Sequence, residues 1–217
     1  MVESMAQILI VDDEPDIVLL VQRILQKEGH EVIGAESGTQ ALEILKNLKP
    51  DLILLDIMMA RIDGWETLKL IREQEDLKSL PVAMLTAKML MPEDAARQDI
   101  TELLDYIQKP ITKDSLTSKV SEILGVLENL SQKKLLLKQE IGSGDEISAY
   151  EIVSRAENLH RSMLKTFRGM FDVTGGEDSE SLREAIQSQE RAIEIFRAKR
   201  RAIEKGLEKT TDPDANI

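Results

Sequence analysis

The sequence predicts an α/β fold for its first half and an all-α extension for its second. Short apolar runs alternate with helical stripes five times between residues 7 and 124. Strand–helix alternation makes a parallel sheet with helices on both faces and right-handed crossovers. The central run is continuously apolar, as a strand buried on both faces must be. Beyond residue 125 the strand runs stop and long helical stripes take over.

The elements follow in order. Gln7-Ile8-Leu9-Ile10-Val11 is a β-branched-rich run, and Asp12-Asp13-Glu14 follows at once. Pro15 suits the first turn of a helix, where its missing N–H leaves no bond unmade. Ile17, Val18, Val21, Ile24 and Leu25 then recur on one helical face. Gly29 stops that helix, and Glu31 to Ala35 is a second short strand. Ser37 and Gly38 open a helix with Ala41, Leu42, Ile44, Leu45 and Leu48 inward. Pro50 ends that pattern before Asp51-Leu52-Ile53-Leu54-Leu55-Asp56, the central strand.

Asp63-Gly64 is a turn signal, and Trp65, Leu68 and Ile71 mark the next helix. Pro81-Val82-Ala83-Met84-Leu85 is a fourth strand ending in Thr86-Ala87, and Pro92-Glu93-Asp94 starts another helix. Leu103 to Ile107 is the fifth strand, followed by Gln108-Lys109-Pro110. A last helix starts near Thr112, with Asp114 and Ser115 in its first turn.

Composition narrows the function. The 217 residues allow one full domain plus a smaller one or a helical appendage. There is no cysteine, so neither disulfides nor thiolate chemistry enter. No apolar segment approaches the ~20 residues that span a bilayer. No basic region precedes an apolar core at the N-terminus, so a cytoplasmic location is expected. The net charge of −12 is uneven. Residues 1–125 hold 23 acidic and 13 basic side chains, and residues 126–217 hold 17 and 15. So acidic a first half is a poor nucleic-acid binder. The sparse aromatics also argue against base-stacking RNA modules.

The strand ends carry the chemistry. Asp12 and Asp13 follow the first strand, Asp56 ends the third, Thr86 follows the fourth, and Lys109 follows the fifth. In a flavodoxin-like order, 2-1-3-4-5, these ends are neighbours, at the rim where open α/β sheets bind ligands. Three carboxylates in one crevice repel unless a cation joins them. An oxygen-only site with open positions suits Mg²⁺. A lysine, a hydroxyl and a metal around one carboxylate suit an aspartyl-phosphate.

Residues 5–125 resemble the receiver domain of two-component response regulators. The matching elements are Ile-Leu-Ile-Val-Asp-Asp-Glu-Pro at 8–15, Leu-Leu-Asp-Ile-Met-Met at 54–59, Asp63-Gly64, Leu85-Thr86-Ala87-Lys88, and Asp-Tyr-Ile-Gln-Lys-Pro at 105–110. The resemblance implies that Asp56 is the phosphoacceptor and that a sensor histidine kinase supplies the phosphoryl group. It implies that Asp13, Asp56 and the Met58 backbone carbonyl bind Mg²⁺ directly, with Asp12 acting through a metal-bound water. Thr86 and Lys109 would contact phosphoryl oxygens, and Tyr106 would be the switch aromatic that follows Thr86. The Lys109-Pro110 bond is often cis in relatives. Such a protein catalyses only its own phosphorylation and dephosphorylation. Two positions depart from the family. Ala60 stands where relatives often carry Pro, which loosens the loop after Asp56. Glu102 stands where Gly is usual, so the preceding helix is expected to enter strand five differently.

In the second half the stripe of the last receiver helix continues through Leu116, Val120, Ile123, Leu127 and Leu130 to Leu135, Leu136 and Leu137. This predicts a helical extension and linker over 126–144, with Gly142-Ser143-Gly144-Asp145 as its end. Residues 145–209 form a helical output or dimerisation region, and 210–217 a tail. One helix turns Ile152, Ala156, Leu159, Met163, Phe167 and Met170 inward. After a polar loop from Asp172 to Ser181, another carries Leu182, Ile186, Ile193, Phe196, Ile203 and Leu207 at near-heptad spacing, as in a coiled coil. Two such helices cannot bury a full core alone, so they are expected to pack on the extended helix, a second subunit or a partner protein. Two minority readings remain. His160 is read as a surface histidine with Lys165 nearby, as on a phosphotransfer helix. Arg197, Lys199, Arg200 and Arg201 could meet nucleic acid, but they interleave with Glu194, Glu204 and Glu208, which favours a solvated face. The rival for the whole chain is a degenerate receiver acting as a phosphorylation-independent scaffold.

Overall fold

A computed structural model of the chain describes residues 5–87, 103–140, 144–174 and 179–210. Its elements are β1 (Gln7–Val11), α1 (Pro15–Lys27), β2 (Glu31–Ala35), α2 (Gly38–Leu45), β3 (Leu52–Asp56), α3 (Gly64–Arg72), β4 (Val82–Thr86), β5 (Asp105–Gln108), α4 (Lys113–Glu140), α5 (Gly144–Thr174) and α6 (Ser179–Thr210). The helix expected from Pro92, and the position of Glu102, lie outside the described residues. Among the described residues the chain forms two compact units that part between Ile123 and Leu124, within α4.

The first unit holds a five-stranded sheet in the order β2-β1-β3-β4-β5. Every pairing is parallel. All five residues of β3 and of β4 are buried, as strands covered on both faces require. Strand five starts two residues later than expected, at Asp105, and ends at Gln108.

The helices are fixed at their ends by the residues the sequence supplies. The Ser37 side chain accepts the Gln40 N–H at 3.2 Å, and the Asp63 side chain accepts the Glu66 N–H at 2.8 Å. Both are N-caps that satisfy an orphan donor. Thr112 and Ser115 cap the start of α4 reciprocally, each side-chain oxygen accepting the other residue's N–H. Helix α2 ends at Leu45, so Leu48 lies beyond it. Lys113 Nζ on α4 meets Glu28 Oε1, at the end of α1, at 3.2 Å.

The second unit is helical. Helices α5 and α6 run antiparallel, pairing His160 with Gln189, Arg168 with Glu190 and Tyr150 with Glu204. The latter part of α4 joins them through Leu130 and Leu137, which cluster with Ile147, Tyr150, Val126 and Ile203. Helix α4 passes through Gly125 and Ser131 unbroken. Helix α5 begins at Gly144 and ends at Thr174, so it takes up part of both segments expected to be loops. The tail from residue 211 lies outside the described residues.

The apolar stripes differ in detail from expectation. Ala156, Leu159, Met163 and Phe167 are buried, but Ile152 is 66% exposed. Helix α5 turns Ile147 and Tyr150 inward instead. Leu137 is buried while Leu135 and Leu136 face outward, because three consecutive residues cannot share one helical face. No described helix is long and apolar enough to cross a membrane.

Candidate functional site

Two strands deliver three carboxylates to one sheet edge. Asp12 follows β1, its N–H still extending the ladder to the Ala35 carbonyl at 3.0 Å. Asp56 is the last residue of β3, opposite Leu85 of β4. Ligand oxygens of Asp12, Asp13 and Asp56 all lie within 4.8 Å of one another. Among the described residues this is the only such acidic or histidine group that could hold a metal.

Lys109 enters from β5. Its Nζ lies 2.8 Å from Asp12 Oδ2 and 2.9 Å from Asp56 Oδ1. The Lys109 N–H donates to the Thr86 carbonyl at 2.7 Å, and the Lys109-Pro110 peptide is cis. Burial alone would lower the Lys109 ammonium, but its bonds to Asp12 and Asp56 outweigh that and hold it above the usual lysine value. Burial pushes the Asp56 carboxyl above the usual carboxylate range, against the downward pull of Lys109.

The loop after Asp56 is shaped to the site. The Met58 N–H donates to Asp56 Oδ2 at 3.0 Å, and the Ala60 N–H to Asp13 Oδ2 at 2.8 Å. Arg61 takes a left-handed conformation with φ 70°. The chain then turns back at Gly64, where an added Cβ would lie 2.2 Å from the Asp56 carbonyl oxygen. Gly64 is thus a spacer beneath the site. The sequence marks Asp63-Gly64 as a turn but not this role, because the contact depends on how the loop from Ile57 to Asp63 closes back on Asp56.

The donor set fits a hard divalent cation. Asp12 has both oxygens engaged, Oδ1 by the Glu14 N–H at 3.0 Å and Oδ2 by Lys109. Asp56 Oδ1 is buried and accepts no hydrogen bond of good geometry. The ligand atoms that Asp12, Asp13 and Asp56 offer are all carboxylate oxygens, the chemistry Mg²⁺ prefers.

Thr86 is buried at the end of β4, one residue past the level of Asp56. Tyr106 pairs with Met84 in register and is 6% exposed. The side chains brought together are therefore Asp12, Asp13, Asp56 and Lys109, with Thr86 on the same rim and Tyr106 further down β5.

The two minority candidates in the second unit are placed otherwise. His160 is a buried residue, not a surface one. Its Nδ1 lies 2.6 Å from Gln189 Oε1, and its ring stacks on Phe196 with centroids 5.3 Å apart. Lys199 and Arg201 are exposed, as a solvated face requires, but Arg197 and Arg200 are half-buried. Their Nε atoms approach the buried Glu157 carboxylate at 3.5 and 3.4 Å. Arg161 bonds the same carboxylate, Nη2 to Oε1, at 2.6 Å. The sequence signal for this cluster was a charge, Glu157, on the inward stripe between Ala156 and His160.

Residues 8–121 match the family described as response regulator receiver domain. The alkaline phosphatase synthesis transcriptional regulatory protein PhoP of Bacillus subtilis is 40% identical over 120 residues, 54% of this chain and 48% of PhoP. This chain thus covers about half the length of that relative. Protein PilH of Pseudomonas aeruginosa is 30% identical over 120 residues, 55% of this chain and 98% of PilH. The chemotaxis response regulator CheY4 of Vibrio cholerae superposes with a TM-score of 0.51 at 30% identity, covering 55% of this chain and 99% of that one.

Proposed function

This chain belongs to the response regulator receiver domain family, and from that premise we propose a phosphorylation-controlled signalling protein whose acceptor is Asp56. The observation that carries this reading is the meeting of Asp12, Asp13 and Asp56 with Lys109 at one strand edge.

A carboxylate oxygen of Asp56 attacks the phosphorus of a phosphohistidine on a sensor kinase. The P–N bond breaks, its electron pair returns to the imidazole nitrogen, and an acyl phosphate forms. Water later cleaves the new O–P bond, releasing inorganic phosphate and restoring the carboxylate. Asp13, Asp56 and the Met58 carbonyl would hold Mg²⁺, with Asp12 reaching it through water. The chemistry such an ion supplies is neutralisation of the phosphoryl oxygens and the crowded carboxylates. Lys109 binds a phosphoryl oxygen, Thr86 donates its hydroxyl to another, and Tyr106 follows Thr86 as the switch. The family is generally non-enzymatic, and this chain acts only on its own aspartate.

The helical unit is the output, docking a partner protein or a second copy in the cytoplasm. Exposed Leu135, Leu136, Ile152 and Ile195 support such a surface. Burial of His160 and the Glu157 pairing of Arg197 and Arg200 favour this over phosphotransfer or nucleic-acid binding.

Acetyl phosphate with Mg²⁺ tests the reading. The expected product is one acid-stable, hydroxylamine-labile adduct that Asp56→Asn abolishes. A chain that takes no adduct from any donor is a phosphorylation-independent scaffold instead.

A further inference from the structure

We propose that the turn Gly125–Asn129 of α4 is a hinge whose opening carries the phosphorylation state of Asp56 to the helical unit. The idea rests on the phosphorylation reading above. Helix α4 is anchored twice. Leu116, Val120 and Ile123 are buried in the first unit, and Leu130 and Leu137 are buried in the second. Between them, Leu124 and Gly125 are half-buried, Val126 already packs on the cluster of the second unit, and Glu128 and Asn129 are exposed. Any displacement of one anchored segment against the other falls on this turn.

The residues there suit that task. Glycine is the least favourable interior helix residue after proline. A helical glycine often answers to crowding, but a Cβ at Gly125 would meet nothing within 4 Å. Packing therefore does not require it, and what it does supply is backbone freedom. Asn129 supplies the second part. Its Nδ2 donates to the Gly125 carbonyl at 2.8 Å. That carbonyl is also the helical acceptor for the Asn129 N–H. When the backbone bond opens, the side chain keeps the carbonyl partnered, which lowers the cost of opening. Gly169 in α5 makes the contrast. It too has open space around it, but Val173 stands four residues on and offers no such donor. Helix α4 is unbroken through this turn in the structure, and its opening is the proposed response to phosphorylation.

Hydrogen exchange on the full chain tests this, with the Asp56 adduct quantified by mass in the same sample. Amides 126–130 should exchange faster than amides 118–122, and faster still once acetyl phosphate and Mg²⁺ have formed the adduct. Gly125→Ala should slow them about fivefold, the ratio matching the glycine–alanine difference in helix propensity, and blunt the response to phosphorylation. Gly169→Ala, equal in propensity but remote, should leave both readings unchanged. The hinge is overturned if the adduct forms and amides 126–130 behave like 118–122, or if Gly169→Ala acts as Gly125→Ala does. If no adduct forms, the phosphorylation reading falls and the carried signal with it, while the resting exchange difference still decides the hinge.

Discussion

The Asp56 carboxyl is buried beside Asp12 and Asp13, and Lys109 offsets their charge. Without a metal, an ionised Asp56 costs stability, which is why burial raises its proton affinity. The two central residues should then respond oppositely to substitution. In chelator at neutral pH, Asp56→Asn removes a charge from a crowded site and should stabilise the first unit by about 1 kcal/mol. Lys109→Met leaves Asp12 and Asp56 buried without their cation and should cost about 3 kcal/mol. Added Mg²⁺ should recover much of the Lys109→Met loss and give Asp56→Asn far less than it gives the unaltered chain. Denaturant unfolding with and without Mg²⁺ measures all of these. Equal shifts for both variants would mean that the carboxylates do not repel as their placement implies.

Among the elements, the strand ends were the most legible and the helix faces the least. Strands β1 and β2 occupy the residues expected, and β3 ends on Asp56, because an unbroken apolar run permits few alternatives in a sheet covered on both sides. The meeting of Asp12, Asp13, Asp56 and Lys109 followed from strand order alone. What the sequence hid were contacts between residues whose meeting depends on exact turn geometry. Gly64 is one: its missing side chain lets α3 begin against the Asp56 carbonyl. Gly64→Ala would drive a Cβ into backbone, which cannot rotate away. It should cost about 2 kcal/mol and slow adduct formation at Asp56 without touching a reacting atom. Unfolding and phosphorylation rates measured on one preparation decide it; an unaltered rate would show that the loop relaxes freely. The long helices hid more. Periodicity placed Ile152 inside, yet Tyr150 and Glu157 take the inward positions. A buried carboxylate met by Arg161 of its own helix and by Arg197 and Arg200 of the facing one is only partly legible in sequence, since two of its three partners lie on the facing helix. That carboxylate half-buries Arg197 and Arg200, and separately His160 meets Gln189.

Considered whole, the molecule holds two cores of different physical kinds. The first unit is a sheet core of aliphatic residues, with its charges gathered at one edge. The second is a helical core with a charge cluster around Glu157 and a phenol, Tyr150, beside Glu204. Units with separate cores, to both of which α4 contributes, should unfold in separate steps. Calorimetry in chelator should therefore resolve two transitions. Lys109→Met should lower one of them. Glu157→Ala, which strands three arginines around an empty position, should lower the other by about 3 kcal/mol. Alkaline pH offers an independent handle on the second. Burial, with Glu204 adding to it, raises the Tyr150 hydroxyl above its usual value. A raised folded value means that the stability it supports is present below the unfolded tyrosine range and is lost as pH climbs through the folded one. The second transition should thus fall at high pH and Tyr150→Phe should remove that step, while the alkaline fall that the raised Lys109 ammonium brings to the first transition should survive Tyr150→Phe and be lost in Lys109→Met. A single transition moved by both Lys109→Met and Glu157→Ala would mean that the two cores melt as one, and α4 would then be a rigid strut rather than a joint.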